Sequence, residues 1–270
     1  MKEKTSAKKP RVAIHKFASC SGCQLAFVNM GADLIELTRL VDIVHMAEFG
    51  HVASEDEPVD IAFIEGSITT PHDVDRLKKI RENSQYLLTM GACATSGGIQ
   101  ALRNNADTAE WMRSVYARPE FIESLSSSAA IANHVKVDFE LWGCPVSVRQ
   151  MLAAVRSLLF GVPPLDLREK VCQECKRRGN NCILVTKASP CMGPVTRTGC
   201  GALCPSFGAP CYTCYGPAES ANTEGLGRRL IGLGLSSDQV ARRFASINNA
   251  APVFSEATRM FSAKPWMEEE

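Results

Sequence analysis

Eight of the twelve cysteines in this chain fall between residues 172 and 214, and this density limits what the segment can become. So many thiols in one short stretch require a chemical explanation. Three are available, namely disulfides, zinc sites and iron–sulfur clusters. The eight residues are Cys172, Cys175, Cys182, Cys191, Cys200, Cys204, Cys211 and Cys214.

Disulfides are disfavoured by the expected compartment. The chain starts with a basic stretch and shows no apolar signal segment, and its Arg-Arg pairs are all internal, so an export route is not indicated. We therefore expect a cytoplasmic protein. In a reducing compartment, dense cysteines usually indicate metal binding or catalysis.

Zinc and iron–sulfur clusters both remain open for this segment. The pairs 172/175 and 211/214 fit a four-cysteine zinc ribbon by spacing alone. Iron is favoured because eight cysteines make two sets of four, with no histidine in the segment. Cys204 also directly precedes Pro205, as in bacterial cluster-binding runs. Composition alone does not separate the two metals.

Length and charge exclude several classes of function. A chain of 270 residues has room for one large domain or two small ones. Its net charge of +1 provides no overall basic field for nucleic-acid binding. No apolar run approaches the ~18 residues of a membrane span. We expect the basic start to form a solvated, flexible terminus and residues 264–270 to be frayed. The basic residues of that start are Lys2, Lys4, Lys8, Lys9 and Arg11.

The first part of the chain alternates between strands and helices, which predicts an α/β fold with a doubly wound, mostly parallel sheet. We place this domain at residues 1–164, since Pro163 and Pro164 break regular structure. Residues 165–270 form the second, smaller domain, which carries helices near 226–233 and 237–247. The predicted strands cover 11–17, 41–46, 59–64, 86–90 and 135–141, and the predicted helices cover 24–40, a stretch from 71, 107–116 and 148–160.

The remaining four cysteines each follow a predicted strand of that sheet. Cys20 and Cys23 follow the first strand, Cys93 the fourth and Cys144 the fifth. Ligands bind at the carboxyl edge of such sheets, and four thiolates there are what a 4Fe–4S cluster requires. The alternative is four separate buried cysteines that pack as small hydrophobes.

Other polar residues carry weaker signals. Glu65 ends a strand beside the proposed cluster, either as a proton-handling group or as a loop residue that bonds backbone amides. The loop from Gly91 to Gly98 lacks the spacing of a nucleotide-binding loop, so its glycines are interpreted as giving the backbone close access to an inorganic group. The five histidines show no ligand spacing, and no catalytic triad is evident.

Five motifs carry a resemblance to a known family. They are SCSGCQ (19–24), FIEGS (63–67), GACATSGG (91–98), GCP (143–145) and PCMGPVTRTGC (190–200). Over about residues 11–217, the chain resembles the small subunit of NiFe hydrogenases, and most of all the cytoplasmic NAD(P)-linked group that includes sulfhydrogenase delta subunits. The resemblance implies a flavodoxin-like domain followed by a small, mostly irregular and helical iron–sulfur domain.

The resemblance also implies three 4Fe–4S clusters. A histidine of the membrane-bound relatives is replaced by Cys172, and Cys204 supplies a fourth ligand where those relatives bind three irons. All-cysteine ligation indicates low potentials. The implied ligands are Cys20, Cys23, Cys93 and Cys144 (proximal), Cys200, Cys204, Cys211 and Cys214 (medial), and Cys172, Cys175, Cys182 and Cys191 (distal).

The implied function is electron transfer within a hydrogenase complex. The NiFe centre would lie on a large subunit, and FAD and NAD(P) on further iron–sulfur reductase subunits, so this chain has no catalytic residue of its own. One alternative is a subunit of methanogen hydrogenases linked to coenzyme F420 or heterodisulfide. Less favoured are the related cluster subunit of respiratory complex I and a zinc-stabilised interaction module.

Overall fold

A parallel five-stranded sheet forms the first part of the chain, in a computed structural model that describes residues 9–52 and 57–263. The strands are β1 (Arg11–Lys16), β2 (Asp42–Met46), β3 (Val59–Glu65), β4 (Ser84–Met90) and β5 (Phe139–Leu141). Their order, β2-β1-β3-β4-β5, is the flavodoxin-like order, which confirms the predicted fold class. The predicted flexible start is wrong for Lys9, whose Nζ donates to the Thr38 carbonyl, and for Arg11, which begins β1. Its other residues, and residues 264–270, lie outside the described residues.

Helices cover both faces of the sheet, as buried parallel strands require. On one face, Phe27, Leu37 and Met151 pack against the strands. On the other face, Leu77 and Ile80 do so. The helices of this part are α1 (Gly22–Val28), α2 (Ala32–Leu40), α3 (Pro71–Glu82), α4 (Ala92–Ser96), α5 (Thr108–Val115) and α6 (Val148–Leu159), with 3-10 turns at Ala47–Phe49, Ile99–Asn105, Pro119–Phe121 and Ile131–Asn133.

Two predicted elements differ from the structure. The helix predicted over 24–40 is two helices, because Gly31 adopts a φ of 60° that an α-helix does not contain. Of the strand predicted over 135–141, only the last three residues form a strand, β5. The Val135 amide donates to the Ile131 carbonyl instead of entering the ladder. The remaining predicted strands agree to within about two residues.

The second part consists of short helices in the cysteine segment and three longer terminal helices. Phe244, Phe254 and Phe261 from the terminal helices form a core with Met192 and Val195. Ser236 accepts a hydrogen bond from the Gln239 amide at the start of its helix. The boundary after residue 164 stays a prediction. The helices are α7 (Val171–Arg177), α8 (Ile183–Thr186), α9 (Leu203–Ser206), α10 (Thr223–Ile231), α11 (Ser237–Phe244) and α12 (Pro252–Ala263), with a 3-10 turn at Gly193–Val195.

The last of these helices, α12, was not predicted from the sequence. Searched over the described residues, no helix has the length and apolar character needed to cross a membrane.

Candidate iron–sulfur sites

The proximal set lies at the carboxyl edge of the sheet, as predicted. Burial raises the pKa of Cys23 strongly, and the neighbouring Cys93 and Cys144 thiols raise it further. Burial also raises the pKa of Cys93 to about 11, and Cys144 and Cys20 add to that shift. Four thiols from three separate loops therefore interact with one another. A bound metal reverses this preference for the neutral form, because a coordinated thiol is deprotonated.

Glycines allow the backbone to approach these sulfurs. A Cβ at Gly91 would stand 2.3 Å from Cys23 Sγ, and one at Gly98 would stand 2.7 Å from Cys93 Sγ. Both glycines also have a positive φ. No side chain larger than hydrogen fits at either position, so the loop can close around a group held by these sulfurs. The donor set and this cradle fit a 4Fe–4S cluster.

Glu65 fixes the loop that carries two ligands of the proximal set. Its Oε1 accepts a hydrogen bond from the Cys23 amide at 3.1 Å, and its Oε2 accepts one from the Gln24 amide at 3.2 Å. Burial raises the pKa of the carboxyl group, and these two amides oppose the shift. Of the two interpretations from the sequence, the structure shows the contacts to backbone amides.

The distal set lines one cavity. Cys172, Cys175, Cys182 and Cys191 surround it together with Pro205. Burial raises the pKa of Cys172 to about 11, and the other three thiols contribute. A Cβ at Gly193 would stand 3.3 Å from Cys172 Sγ. The four predicted distal ligands therefore converge in a mostly apolar recess, which also fits a cluster.

A carboxylate that the sequence analysis did not single out holds one loop of the medial set. Glu174 Oε1 accepts a hydrogen bond from the Gly199 amide at 3.1 Å, and Oε2 accepts one from the Ala202 amide at 3.1 Å. This clamp holds the loop that carries Cys200. The only sequence signal that could have identified Glu174 is its position between Cys172 and Cys175.

Cys214 interacts with the other three thiols of the medial set. Burial raises its pKa to about 12, and the Cys211, Cys200 and Cys204 thiols add to the shift. A smaller contribution comes from Cys144 of the proximal set. On the other side, the Cys211 amide donates a hydrogen bond to Cys191 Sγ of the distal set at 3.3 Å. The medial set thus lies between the other two.

Single-metal geometry is not present in residues 9–52 and 57–263. There, no three His, Cys, Asp or Glu side chains are close enough together to hold one metal ion. In a cubane cluster the four irons lie between the cysteine ligands, so those ligands need not converge on one point.

A family model described as the 20 Kd subunit of NADH ubiquinone oxidoreductase matches residues 20–158, a span that contains the whole proximal set. This chain belongs to that family. Its similarity to subunit delta of sulfhydrogenase 2 from Pyrococcus furiosus extends further, at 32% identity over 235 residues, or 86% of this chain and 97% of that protein.

Two further matches are also to chains of hydrogenases. The F420-non-reducing Vhu hydrogenase of Methanocaldococcus jannaschii contains a chain that is 29% identical over 239 residues, covering 78% of this chain and 83% of the relative. In the crystal structure of an H2-reduced NAD+-reducing [NiFe]-hydrogenase, one chain matches with a TM-score of 0.54 and 27% identity, over 59% of this chain and 96% of that chain. The resemblance to hydrogenase small subunits is confirmed, and this family member is an iron–sulfur, electron-transfer subunit of a hydrogenase complex.

Proposed function

We propose that this subunit carries electrons through three 4Fe–4S clusters between a NiFe centre on a large subunit and an NAD(P)-reducing partner that holds FAD. The single observation that carries the proposal is the convergence of Cys172, Cys175, Cys182 and Cys191 on one cavity, and the interactions among the thiols of each of the other two sets support it. The clusters supply the redox chemistry when bound. The chain's own residues hold the clusters and set their spacing.

The roles of the polypeptide follow from its contacts. The cysteines bind iron, and the carboxylates of Glu65 and Glu174 hold the ligand loops in place. Burial of Cys23 and Cys211 keeps water away from their sulfurs. Hydrogen bonds to sulfur, such as the one from the Cys211 amide to Cys191 Sγ, help to set the potential of a cluster.

The choice of NAD(P) as acceptor rests on ligand type. Ligation by cysteine alone favours the low potentials that suit nicotinamide, and a cytoplasmic location gives access to that pool. The second candidate is a hydrogenase of the methanogen type linked to coenzyme F420 or heterodisulfide. The relative from the Vhu hydrogenase favours it. Purified complex supplied with H2 and each acceptor in turn separates the two, since only the physiological acceptor is reduced at a high rate.

Metal content of the complex that co-purifies anaerobically with this chain tests the proposal directly. We expect nickel, no zinc, and roughly twelve irons attributable to this chain, four for each of three clusters. Reductive titration followed by electron paramagnetic resonance should then resolve three centres. Iron without nickel would indicate a carrier of the complex I type. Zinc in place of iron would contradict a redox role altogether.

A further inference from the structure

Two buried aromatic residues lie where the loops of the proximal and medial sets meet. Trp142 precedes Cys144 of the proximal set by two residues and is 7% exposed. Tyr215 directly follows Cys214 of the medial set and is 6% exposed. We call these two residues the aromatic clasp. Neither belongs to a ligand set, and the sequence analysis assigned no role to either of them.

Each ring of the aromatic clasp packs against a glycine of the other loop. A Cβ at Gly216, directly after Tyr215, would stand 2.2 Å from Trp142 Cε3. A Cβ at Gly143, directly after Trp142, would stand 3.0 Å from Tyr215 Cζ. Both glycines have a positive φ. The contacts are therefore reciprocal, and a side chain at either glycine would have no room beside the ring.

Tyr215 lies near thiols of both sets. A Cβ at Gly199, directly before Cys200, would stand 3.1 Å from Tyr215 Cε1. Burial raises the pKa of Tyr215, and the Cys200 and Cys214 thiols raise it further. A smaller contribution comes from Cys23 of the proximal set. The phenol thus interacts with thiols of both sets, and most strongly with those of the medial set.

Contacts with other side chains hold Trp142 in place. Its Nε1 donates a hydrogen bond to Glu140 Oε2 at 3.0 Å. The Arg197 guanidinium lies over the indole, with Cζ 4.9 Å from the ring centroid. Arg197 is paired with Asp166 at 3.2 Å, so its charge is balanced within the chain and its contribution here is packing. These contacts fix the indole ring against Gly216.

A dry space between the two sets has an electrostatic consequence. A cluster ligated by four thiolates becomes more negative when it accepts an electron. Surroundings without water disfavour the added charge, because they solvate it poorly, and so they lower the reduction potential. Access of water has the opposite effect, since solvent exposure is one of the factors that set cluster potentials.

We propose that the aromatic clasp keeps water out of the space between the proximal and medial sets and thereby holds the potential of the medial cluster low. The proposal rests on the proposed function, because it requires a cluster at the medial set. Trp142 and Tyr215 are then positioning residues, since they bind no iron and act on the cluster through its surroundings. A low medial potential lets electrons continue to a nicotinamide acceptor.

The two rings have one competing role, which is to support the fold alone. Large aromatic side chains contribute to stability wherever they are buried. Loss of a ring with only that role lowers the stability of the folded chain and leaves the potential of a bound cluster unchanged. The potential of the medial cluster and its exposure to water therefore separate the two roles.

The test compares five forms of the complete, anaerobically purified complex: wild type, Tyr215→Ser, Tyr215→Phe, Trp142→Leu and Tyr212→Ser. Tyr212 lies in the same loop, between Cys211 and Cys214, but is 53% exposed, so Tyr212→Ser is the matched control. Reductive titration followed by electron paramagnetic resonance measures the midpoint potential of each cluster. Pulsed electron paramagnetic resonance in D2O measures deuterium coupling at the reduced medial cluster, which reports water near it.

We expect Tyr215→Ser to raise the medial midpoint potential. At a fixed applied potential, the ratio of reduced to oxidised medial cluster should rise about tenfold, which corresponds to about 59 mV for a one-electron couple. Deuterium coupling at that cluster should increase. Trp142→Leu should shift the potential in the same direction. Tyr215→Phe, which keeps the ring, and Tyr212→Ser should match wild type, and the distal potential should be equal in all five forms.

Four results would overturn the proposal. An unchanged medial potential in Tyr215→Ser and Trp142→Leu, with all iron retained, would assign the rings to the fold alone and leave the proposed function in place. Equal shifts in Tyr215→Ser and Tyr212→Ser would assign the effect to a general disturbance of the loop. Loss of the medial iron from both clasp variants would make the rings necessary for cluster retention rather than for shielding. If the wild-type complex contained no medial iron–sulfur cluster, the proposed function would fail, and the shielding proposal with it.

Discussion

At the scale of single residues, two carboxylates make the same kind of contact with two different loops. Glu65 and Glu174 each accept backbone N–H groups on separate oxygens, and each loop carries cysteines. A carboxylate that accepts two amide hydrogens fixes the loop without occupying a coordination position. Cluster loops have little regular structure of their own, so the spacing of their thiols depends on such side-chain contacts.

Cys204 tests the assignment of the medial set. If this residue is the fourth ligand, Cys204→Pro and the gentler Cys204→Ser should each convert a four-iron cluster into a three-iron one. The oxidised variants should then show the paramagnetic signal of a three-iron cluster, and iron content should fall by about one per chain. Leu203→Ala, on the same helix α9, is the control. An unchanged medial spectrum in the Cys204 variants would remove this residue from the ligand set.

His15 predicts a pH dependence of stability that is independent of the clusters. It is 4% exposed, and burial lowers its pKa from 6.5 to about 3, with His45 and Arg76 contributing. Between these values the unfolded chain binds a proton that the folded chain does not, so stability falls as pH decreases through this window. From pH 7.5 to 5.5 the loss should be about 1.4 kcal/mol.

Anaerobic denaturant unfolding of wild type and His15→Gln at both pH values measures this loss of folding stability. His15→Gln should be less sensitive to pH than wild type by that amount, whatever its own stability. The exposed His72→Gln on α3 provides the control and should keep the wild-type slope. Equal slopes in wild type and His15→Gln would show that His15 is protonated in the folded state.

At the scale of elements, the sequence predicted the strands and the placement of cysteines at their ends because both depend on local patterns. A buried strand followed by a Gly-containing turn is visible in a few consecutive residues. The helix break at Gly31 was not visible, since the apolar spacing continues across it. Glu174 and Asn248 were missed for a different reason, because their partners lie far away in sequence.

Asn248 joins three elements of the structure between α11 and α12. Its Oδ1 accepts a hydrogen bond from Ser96 Oγ at 2.7 Å, and its Nδ2 donates one to the Thr213 carbonyl at 2.7 Å. Ser96 is the last residue of α4, the helix that contains Cys93, and Thr213 directly precedes Cys214. The terminal helices thereby tie the proximal loop to the medial loop through one fully buried amide.

Asn248→Leu should therefore remove one hydrogen bond each from Ser96 Oγ and the Thr213 carbonyl, which both keep another partner, and cost about 1–3 kcal/mol of stability. It should also alter the distance between proximal and medial clusters, which the magnetic coupling between them reports in the reduced protein. The exposed Asn133→Leu should cost less than about 0.5 kcal/mol and leave the coupling unchanged. Loss of stability with unchanged coupling would mean that Asn248 supports the fold but does not set cluster spacing.

At the scale of the whole molecule, the proximal end of the proposed electron path is bordered by exposed apolar side chains. Leu25 and Ile99 are 50% and 59% exposed, and Phe49 is 48% exposed. Gln100 Nε2 donates a hydrogen bond to the Ala18 carbonyl, and Ser21 Oγ donates one to Glu48. These contacts place Ile99 and Phe49 near the exposed Cys20.

This apolar border is the surface that we expect the large subunit to cover. A carboxylate buried there without a partner would weaken the association by several kcal/mol. Leu25→Glu and Ile99→Glu should therefore lower the nickel that co-purifies with the chain at least tenfold, while the iron bound to the chain itself stays constant. Val115→Glu on α5, where the side chain is 70% exposed, introduces the same charge away from the border and should retain nickel. Nickel retention in Leu25→Glu and Ile99→Glu at the level of Val115→Glu would place the large subunit elsewhere on the molecule.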